Sequence, residues 1–121
     1  MKLYQYWRSS CSWRVRWALA LKECSYDTVS VNLLKSEQSA PAYTAQNPSA
    51  FVPTLEIDGK SYGESRALIE WLDETQPGYR LLPDAPLDRM VVRQLAYTIG
   101  CGTQPLQNLV AQRYAAQHGQ D

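Results

Sequence analysis

The sequence predicts an α/β fold in which one domain has the element order β-α-β-α-β-β-α. Segments rich in apolar and aromatic residues, at 3–7, 26–33 and 51–62, indicate strands. Apolar residues recur at helical spacing between and after these segments. Breaks fall at Asn47-Pro48 and at Pro77-Gly78. At 121 residues the chain is long enough for one domain and short for two.

The first strand and the first helix are predicted next to each other. LYQYW at 3–7 mixes aromatic and apolar residues and is interpreted as a strand. A helix is predicted from Ser12 to Cys24, with Ser10 or Ser12 as its N-cap. The residues at helical spacing are Val15, Ala18, Leu19 and Lys22.

A second strand and a hairpin follow along the chain. Val29, Val31 and Leu33 alternate within 26–33, which has the period of a strand and completes a β-α-β unit. Residues 35–48 are polar and are predicted to hold a short helical piece at most. The hairpin is predicted from strands Thr54 to Ile57 and Lys60 to Tyr62, because the two residues between them are Asp58-Gly59.

The last part of the chain is predicted to be helical. A helix from Ser65 to Gln76 ends at Pro77-Gly78, so the first domain covers residues 1–78. Residues 79–87 carry two prolines and are interpreted as a linker. One long helix, kinked at Pro105, is predicted within 88–121. Its apolar face would be uncovered, so we expect the first helical part of an incomplete all-α domain, or a helix that packs on a partner.

Charge and cysteine content exclude several classes of function. Twelve basic and twelve acidic side chains are interspersed, which argues against nucleic acid and anionic membranes as partners. Arg8 interrupts the N-terminal segment before a signal peptide could form, and no apolar run approaches the ~18 residues of a membrane span. Cys11, Cys24 and Cys101 are odd in number and far apart, which favours reduced thiols, no metal site and a cytoplasmic protein.

The predicted element order is that of thioredoxin-like domains, and three places along it carry polar or special residues. Hydroxyls and a thiol at 9–12 fall at a helix N-terminus, where backbone N–H groups favour a thiolate. A cis Val52-Pro53 bond would turn the Val52 backbone outward, where an extended peptide could pair with it. Glu64 and Ser65 begin a helix and could hold the ammonium and carboxylate of an α-amino acid end.

Together these places predict a site for a small peptide with a thiol, and glutathione has the required parts. Each place also has a structural interpretation. Ser10, Ser12 and Ser65 can be helix caps, and Pro53 can be an ordinary loop proline. Arg8 is the local candidate for a substrate carboxylate, because its planar guanidinium matches that group.

The segment SSCSWRVRWALALK, residues 9–22, resembles the signature of the zeta-class glutathione transferases, the maleylacetoacetate isomerases. Further matches are NLLK (32–35), NP (47–48), VPTL (52–55), IDG (57–59), RLLP (80–83) and QPLQN (104–108). The resemblance implies a thioredoxin-like domain followed by the start of an all-α glutathione-transferase C-terminal domain. It also implies a homodimer that binds glutathione and a small diacid substrate. Members of this family continue for about 100 further residues of helical domain.

The resemblance also implies roles for single residues. Ser9 would lie closest to the glutathione sulfur, with Ser10 and Cys11 supporting it. The glutathione backbone would lie against Val52 and Pro53. The γ-glutamyl end of glutathione would contact Glu64 and Ser65, and the glycine end would lie near Gln38. Gln104 and Asn108 would lie on the ligand-facing side of the first helix of the C-terminal domain.

The implied activity is glutathione-dependent cis–trans isomerisation of maleylacetoacetate, a step of tyrosine and phenylalanine catabolism. A thiolate that adds to the alkene removes its double-bond character for a time and permits rotation. Three alternatives remain open at this point: a maleylpyruvate or haloacid substrate, a disulfide oxidoreductase, and a non-enzymatic interaction module. The oxidoreductase is disfavoured, because no resolving cysteine stands three residues after Cys11.

Overall fold

The computed structural model describes residues 1–119 and divides the chain into two compact units, Met1–Leu81 and the segment that starts at Leu82. The first unit contains the predicted α/β domain. Its strands are β1 (Lys2–Gln5), β2 (Asp27–Ser30), β3 (Thr54–Ile57) and β4 (Lys60–Tyr62). Its α-helices are α1 (Ser10–Leu21), α2 (Pro41–Thr44) and α3 (Ser65–Thr75), with 3₁₀ turns at Leu33–Lys35 and Glu37–Ser39.

The four strands form one mixed sheet in the order β2-β1-β3-β4. β1 and β2 pair in parallel, whereas β3 is antiparallel to both β1 and β4. The predicted fold class and hairpin are confirmed, and the turn fits its residues, since Asp58 and Gly59 have φ of +50° and +76°. Several boundaries differ from the prediction. β1 ends at Gln5 rather than at residue 7, α1 spans Ser10–Leu21 rather than 12–24, and β2 ends at Ser30 rather than at residue 33.

The core lies between one face of the sheet and helices α1 and α3. Five side chains in it have no exposed surface, and they are Leu3, Val15, Leu19, Leu55 and Leu72. Leu3 and Leu55 are directly opposite each other on β1 and β3. The helical spacing of Val15 and Leu19 therefore corresponds to the face of α1 that is buried on the sheet.

A buried ion pair joins the ends of α1 and α3. The Lys22 ammonium lies 2.8 Å from Asp73 Oδ1, with side-chain exposures of 1% and 4%. The same ammonium donates to the Asp73 and Gln76 carbonyl oxygens at 3.5 and 3.4 Å, and Asp73 Oδ1 also accepts from the Leu81 N–H at 2.8 Å. Lys22 thus occupies the inward position that its spacing predicts, but as a paired charge rather than as an apolar contact.

The second unit has helices α4 (Pro86–Tyr97) and α5 (Leu109–Gln117). Between them lie a π-helical segment, Thr98–Thr103, and a 3₁₀ turn, Gln104–Gln107. The prediction of one long helix kinked at Pro105 is therefore wrong: Pro105 lies within the 3₁₀ turn, and the extended backbone of Asn108 ends it (φ −72°, ψ 149°). None of these helical segments has a buried residue, and the last part of the predicted 88–121 segment, residues 120–121, lies outside the described residues.

Within residues 1–119, no helix combines the length and the apolar character needed to cross a membrane.

Candidate functional site

Ser9 caps the N-terminus of α1. Its backbone is extended, and its Oγ accepts a hydrogen bond from the Ser12 N–H at 3.2 Å. The prediction that Ser10 or Ser12 is the N-cap is therefore wrong: both lie inside the helix, and Ser12 is fully buried. A hydroxyl has one donor and two acceptor positions, so Ser9 can cap the helix and still donate its proton to a ligand.

Ser9 also ends a tight turn that connects β1 to α1. The Ser9 N–H donates to the Tyr6 carbonyl at 3.0 Å, and the Tyr6 N–H donates to the Ser12 hydroxyl at 3.4 Å. We call residues 6–9 the Tyr6–Ser9 turn. Ser10 and Cys11 follow it in the first turn of α1, where Ser10 is exposed and Cys11 half-buried.

Val52 and Pro53 stand directly before β3 and are joined by a cis peptide bond, which is one of the two possibilities that the sequence leaves open. Both are buried, and the Val52 N–H and C=O lie outside the β3 ladder, which begins at Thr54. Val52 packs in one apolar cluster with Tyr6, Val31 and Tyr43. The Val52 backbone is thus next to the end of β1, where the Tyr6–Ser9 turn begins.

A buried polar network that the sequence analysis missed holds the segment before Val52. Asn47 Nδ2 donates to the Phe51 carbonyl and to Thr54 Oγ1, both at 3.0 Å. The Tyr43 hydroxyl donates to the same carbonyl at 2.6 Å and lies 2.8 Å from Thr54 Oγ1. Because the one Tyr43 proton goes to Phe51, the Thr54 hydroxyl donates to Tyr43. Burial raises the pKa of Tyr43 above its usual value, which keeps this donor protonated at neutral pH.

We expect Asn47→Leu to lower the free energy of unfolding by about 2–3 kcal/mol, because it leaves buried partners of the amide unsatisfied. The same change should weaken glutathione affinity by releasing the Val52 segment. Urea unfolding and a glutathione titration measure the two effects. Gln46→Ala removes a neighbouring, less buried amide and should cost less than about 1 kcal/mol. Equal losses for both variants would contradict the role of the network.

The N-terminus of α3 is the third segment of the candidate site. Glu64 precedes the helix with a φ of +61°, an uncommon value for a residue other than glycine, and makes no side-chain cap bond. Ser65 is the first residue of the helix and is 8% exposed, so it is not an N-cap. The N–H groups of the first turn are therefore not capped by the side chain of Glu64, which suits a carboxylate ligand.

The topology brings these three places to one end of the sheet. Thr54 is opposite Tyr4, and Tyr62 is opposite Leu55. Since β3 is antiparallel to β1 and β4, the end of β1, the start of β3 and the end of β4 coincide. Ser9 comes four residues after the end of β1, Val52 two residues before the start of β3, and Ser65 three residues after the end of β4. The connections to all three therefore leave the sheet at the same end.

The remaining predicted residues have different surroundings. The Gln38 Oε1 atom is buried and has no hydrogen-bond partner among residues 1–119. Arg8 is exposed, with its guanidinium carbon 5.7 Å from the centre of the Trp7 ring. Gln104 and Asn108 belong to the second unit, where the Gln104 amide donates to Asn108 Oδ1 at 3.0 Å.

Comparison with known proteins identifies the family. The family model of the glutathione S-transferase N-terminal domain matches residues 3–80. The chain belongs to the glutathione S-transferase family. This accounts for the mixed four-stranded sheet with its helices, and the chain resembles the zeta class within the family, as its sequence predicted.

Individual relatives match 98–100% of this chain. A maleylacetoacetate isomerase of Dictyostelium discoideum is 46% identical over 121 residues, which cover 98% of this chain and 55% of the relative. A bacterial maleylpyruvate isomerase described as a zeta-class glutathione transferase matches with a TM-score of 0.96 and 40% identity, over 100% of this chain and 57% of that one. A maleylacetoacetate isomerase of Anaeromyxobacter dehalogenans 2CP-1, with glutathione bound in its active site, matches with a TM-score of 0.83 and 43% identity. The match covers 98% of this chain and 57% of that one. The chain thus spans little more than half the length of each.

Proposed function

We propose that the protein is a glutathione-dependent isomerase that converts maleylacetoacetate to fumarylacetoacetate. The observation that carries the proposal is the convergence of Ser9, Val52 and Ser65 at one end of the sheet. Relatives that share 46% and 43% of their aligned residues are named maleylacetoacetate isomerases. A homodimer in the cytoplasm is part of the same proposal and rests on the resemblance to the family.

The residues present fit glutathione. A buried amide oxygen without a partner, Gln38 Oε1, suits one of the peptide N–H groups of glutathione. The first turn of α3, which the Glu64 side chain does not cap, and the Ser65 hydroxyl suit the γ-glutamyl carboxylate, while the Glu64 carboxylate suits its ammonium group. The Val52 N–H and C=O outside the β3 ladder suit the backbone of an added peptide strand. Pro53 follows Val52 and is assigned to the same part of the ligand.

Glutathione, when bound, supplies the thiolate whose addition to the substrate double bond permits rotation. Ser9 donates a hydrogen bond to that sulfur and favours its ionised form, together with the N–H groups of α1. Ser10 and Cys11 lie in the same helical turn and assist there. Arg8 is exposed within the Tyr6–Ser9 turn, and we assign it to a carboxylate of the diacid substrate. Gln104 and Asn108 are assigned to ligand binding on the resemblance to the family alone.

We expect Ser65→Ala to raise the Kd for glutathione by about 10–100-fold, because the bond lost is one to a charged group. The protein at its natural length is titrated with glutathione while tryptophan fluorescence is followed. Trp7 and Trp13 lie on either side of the proposed thiol position, so their emission should report binding. Ser25→Ala, in the exposed loop between α1 and β2 at the other end of the sheet, should leave the Kd unchanged. An unchanged Kd in Ser65→Ala would refute the assignment of this residue.

Maleylpyruvate is the second candidate substrate, because the maleylpyruvate isomerase matches with a TM-score of 0.96. Both substrates are diacids with a cis double bond, so the same residues would serve either reaction. The ratio of kcat/KM for maleylacetoacetate and maleylpyruvate decides between them. A ratio above one supports the first proposal, and a ratio below one supports the second.

A further inference from the structure

Arg16 binds back onto the segment that carries Ser9. Its Nη1 donates to Gln5 Oε1 at 2.6 Å, and its Nη2 donates to the Trp7 carbonyl at 3.1 Å. Gln5 is the last residue of β1 and is 8% exposed, whereas Trp7 lies in the exposed part of the Tyr6–Ser9 turn. The planar guanidinium therefore connects the buried end of a central strand to the exposed part of a surface turn through two of its donors.

Within residues 1–119, the other hydrogen bonds of the Tyr6–Ser9 turn are made by its two ends, Tyr6 and Ser9. The Ser9 N–H donates to the Tyr6 carbonyl, the Tyr6 N–H donates to the Ser12 hydroxyl, and Ser9 Oγ accepts from the Ser12 N–H. The Ser9 carbonyl accepts from the Trp13 N–H at 2.9 Å. The side chain of Arg8 stacks on Trp7, which is exposed as well. Arg16 is thus the residue that ties the Trp7 carbonyl to the body of the domain, and an exposed turn without that bond would open more often.

We propose that Arg16 is a positioning residue for the glutathione thiolate. It holds the Tyr6–Ser9 turn in one conformation, so that the Ser9 hydroxyl stays directed toward the position of the sulfur. The inference rests on the proposed function. A hydrogen-bond donor stabilises a developing or fixed negative charge only when it is held at the correct distance beforehand. Ser9 is placed by its own turn and by the start of α1, and Arg16 belongs to the second turn of that helix. Arg16 acts through Ser9 and does not contact the sulfur.

Arg14 provides a matched control on the same helix. Arg14 has the same charge as Arg16 and is also half-buried. The hydrogen bonds to Gln5 and to the Trp7 carbonyl, however, come from Arg16. Arg14→Met therefore removes one positive charge near the N-terminus of α1 without loosening the turn. A general electrostatic effect on the thiol would appear in both variants, whereas a positioning effect would appear in Arg16→Met alone.

The experiment uses the protein at its natural length and compares the parent, Arg16→Met, Arg16→Lys and Arg14→Met. Ultraviolet absorbance of the thiolate, followed against pH, gives the pKa of bound glutathione. We expect Arg16→Met to raise that pKa by about one unit and to lower kcat about tenfold at neutral pH, with the KM for glutathione changed less than about twofold. Arg16→Lys should fall between, because an ammonium cannot reproduce the two-donor fork. Arg14→Met should match the parent.

A second measurement needs no bound glutathione. Amide hydrogen exchange of Ser9 should become faster in Arg16→Met than in the parent, while exchange of core residue Leu55 stays the same. Suppose that the parent protein binds glutathione. If Arg16→Met then leaves either the thiol pKa or the Ser9 exchange rate unchanged, the role of Arg16 is wrong, while the proposed function stands. Parent protein that binds no glutathione overturns the proposed function, and the role of Arg16 toward the thiolate with it.

Discussion

Lys22→Met is expected to lower the free energy of unfolding by about 3–5 kcal/mol. The Lys22 and Asp73 side chains are 1% and 4% exposed, so the substitution removes an ammonium group that lies 2.8 Å from a buried carboxylate. The loss also takes away the donor to the Gln76 and Asp73 carbonyls at the end of α3. Urea unfolding followed by circular dichroism gives the difference in free energy, provided that both proteins unfold in two states.

The design of a second variant separates charge from packing. In Lys22→Met/Asp73→Asn the side chain at 73 is neutral but keeps the oxygen that accepts from the Leu81 N–H. Replacement of both partners of a buried ion pair by neutral groups often costs little, so the double variant should be more stable than Lys22→Met alone. Lys60→Met removes an exposed lysine from β4 and should change stability by less than about 0.5 kcal/mol. A loss in Lys22→Met no larger than that of Lys60→Met would refute the buried-pair argument.

Lys22 also shows where sequence reasoning stops. Its position at helical spacing with Val15 and Leu19 correctly predicts that it faces inward. A buried amine requires an acidic partner, but Asp73 is 51 positions away along the chain, and local patterns carry no information about that contact. Composition and periodicity predict which residues are buried better than they predict which polar residues meet.

The hairpin and the capping of α1 show that local patterns predict a feature only when adjacent residues determine it. Both strands of the hairpin were predicted with their observed bounds, because the Asp58-Gly59 turn is determined by adjacent residues. The N-cap was assigned to Ser10 or Ser12 instead of Ser9, since three nearby serines have the same intrinsic preference. The choice depends on Ser12, whose hydroxyl is buried against the Tyr6 N–H and so cannot precede the helix.

The sequence predicts which segments form the candidate site, but it does not predict the buried hydrogen bonds that hold those segments. Val52-Pro53 and Ser65 stand at strand and helix ends that the element order already predicts. The network of Tyr43, Asn47 and Thr54 is formed by polar residues that the sequence gives no reason to bury, apart from the Asn-Pro break at 47–48. In the second unit, the segment from Thr98 to Gln107 contains Gly100, Gly102 and Pro105, which disfavour one continuous α-helix more strongly than a kink at Pro105 alone would suggest.

Ser9→Ala is expected to lower kcat for the proposed isomerisation by about 100-fold, the usual effect of removing one donor to a reacting anion. The pKa of bound glutathione should rise by about one to two units, because the thiolate loses the Ser9 hydrogen bond. The test measures both quantities in the protein at its natural length, with maleylacetoacetate as substrate. At pH values well above the raised pKa, part of the lost rate should return, since ionisation no longer limits the reaction.

Ser9 is also the N-cap of α1, so Ser9→Ala alone cannot distinguish lost chemistry from a frayed helix. An alanine at this position costs about 1 kcal/mol of stability, whereas a glycine costs only a few tenths. Ser9→Gly therefore removes the hydroxyl and nearly preserves the helix, and Ser9→Thr preserves both. If Ser9 acts on the sulfur, the thiol pKa rises equally in the alanine and glycine variants and stays low in the threonine variant. If Ser9 only caps the helix, the glycine variant keeps the parent pKa and rate, and the role assigned to this hydroxyl is wrong.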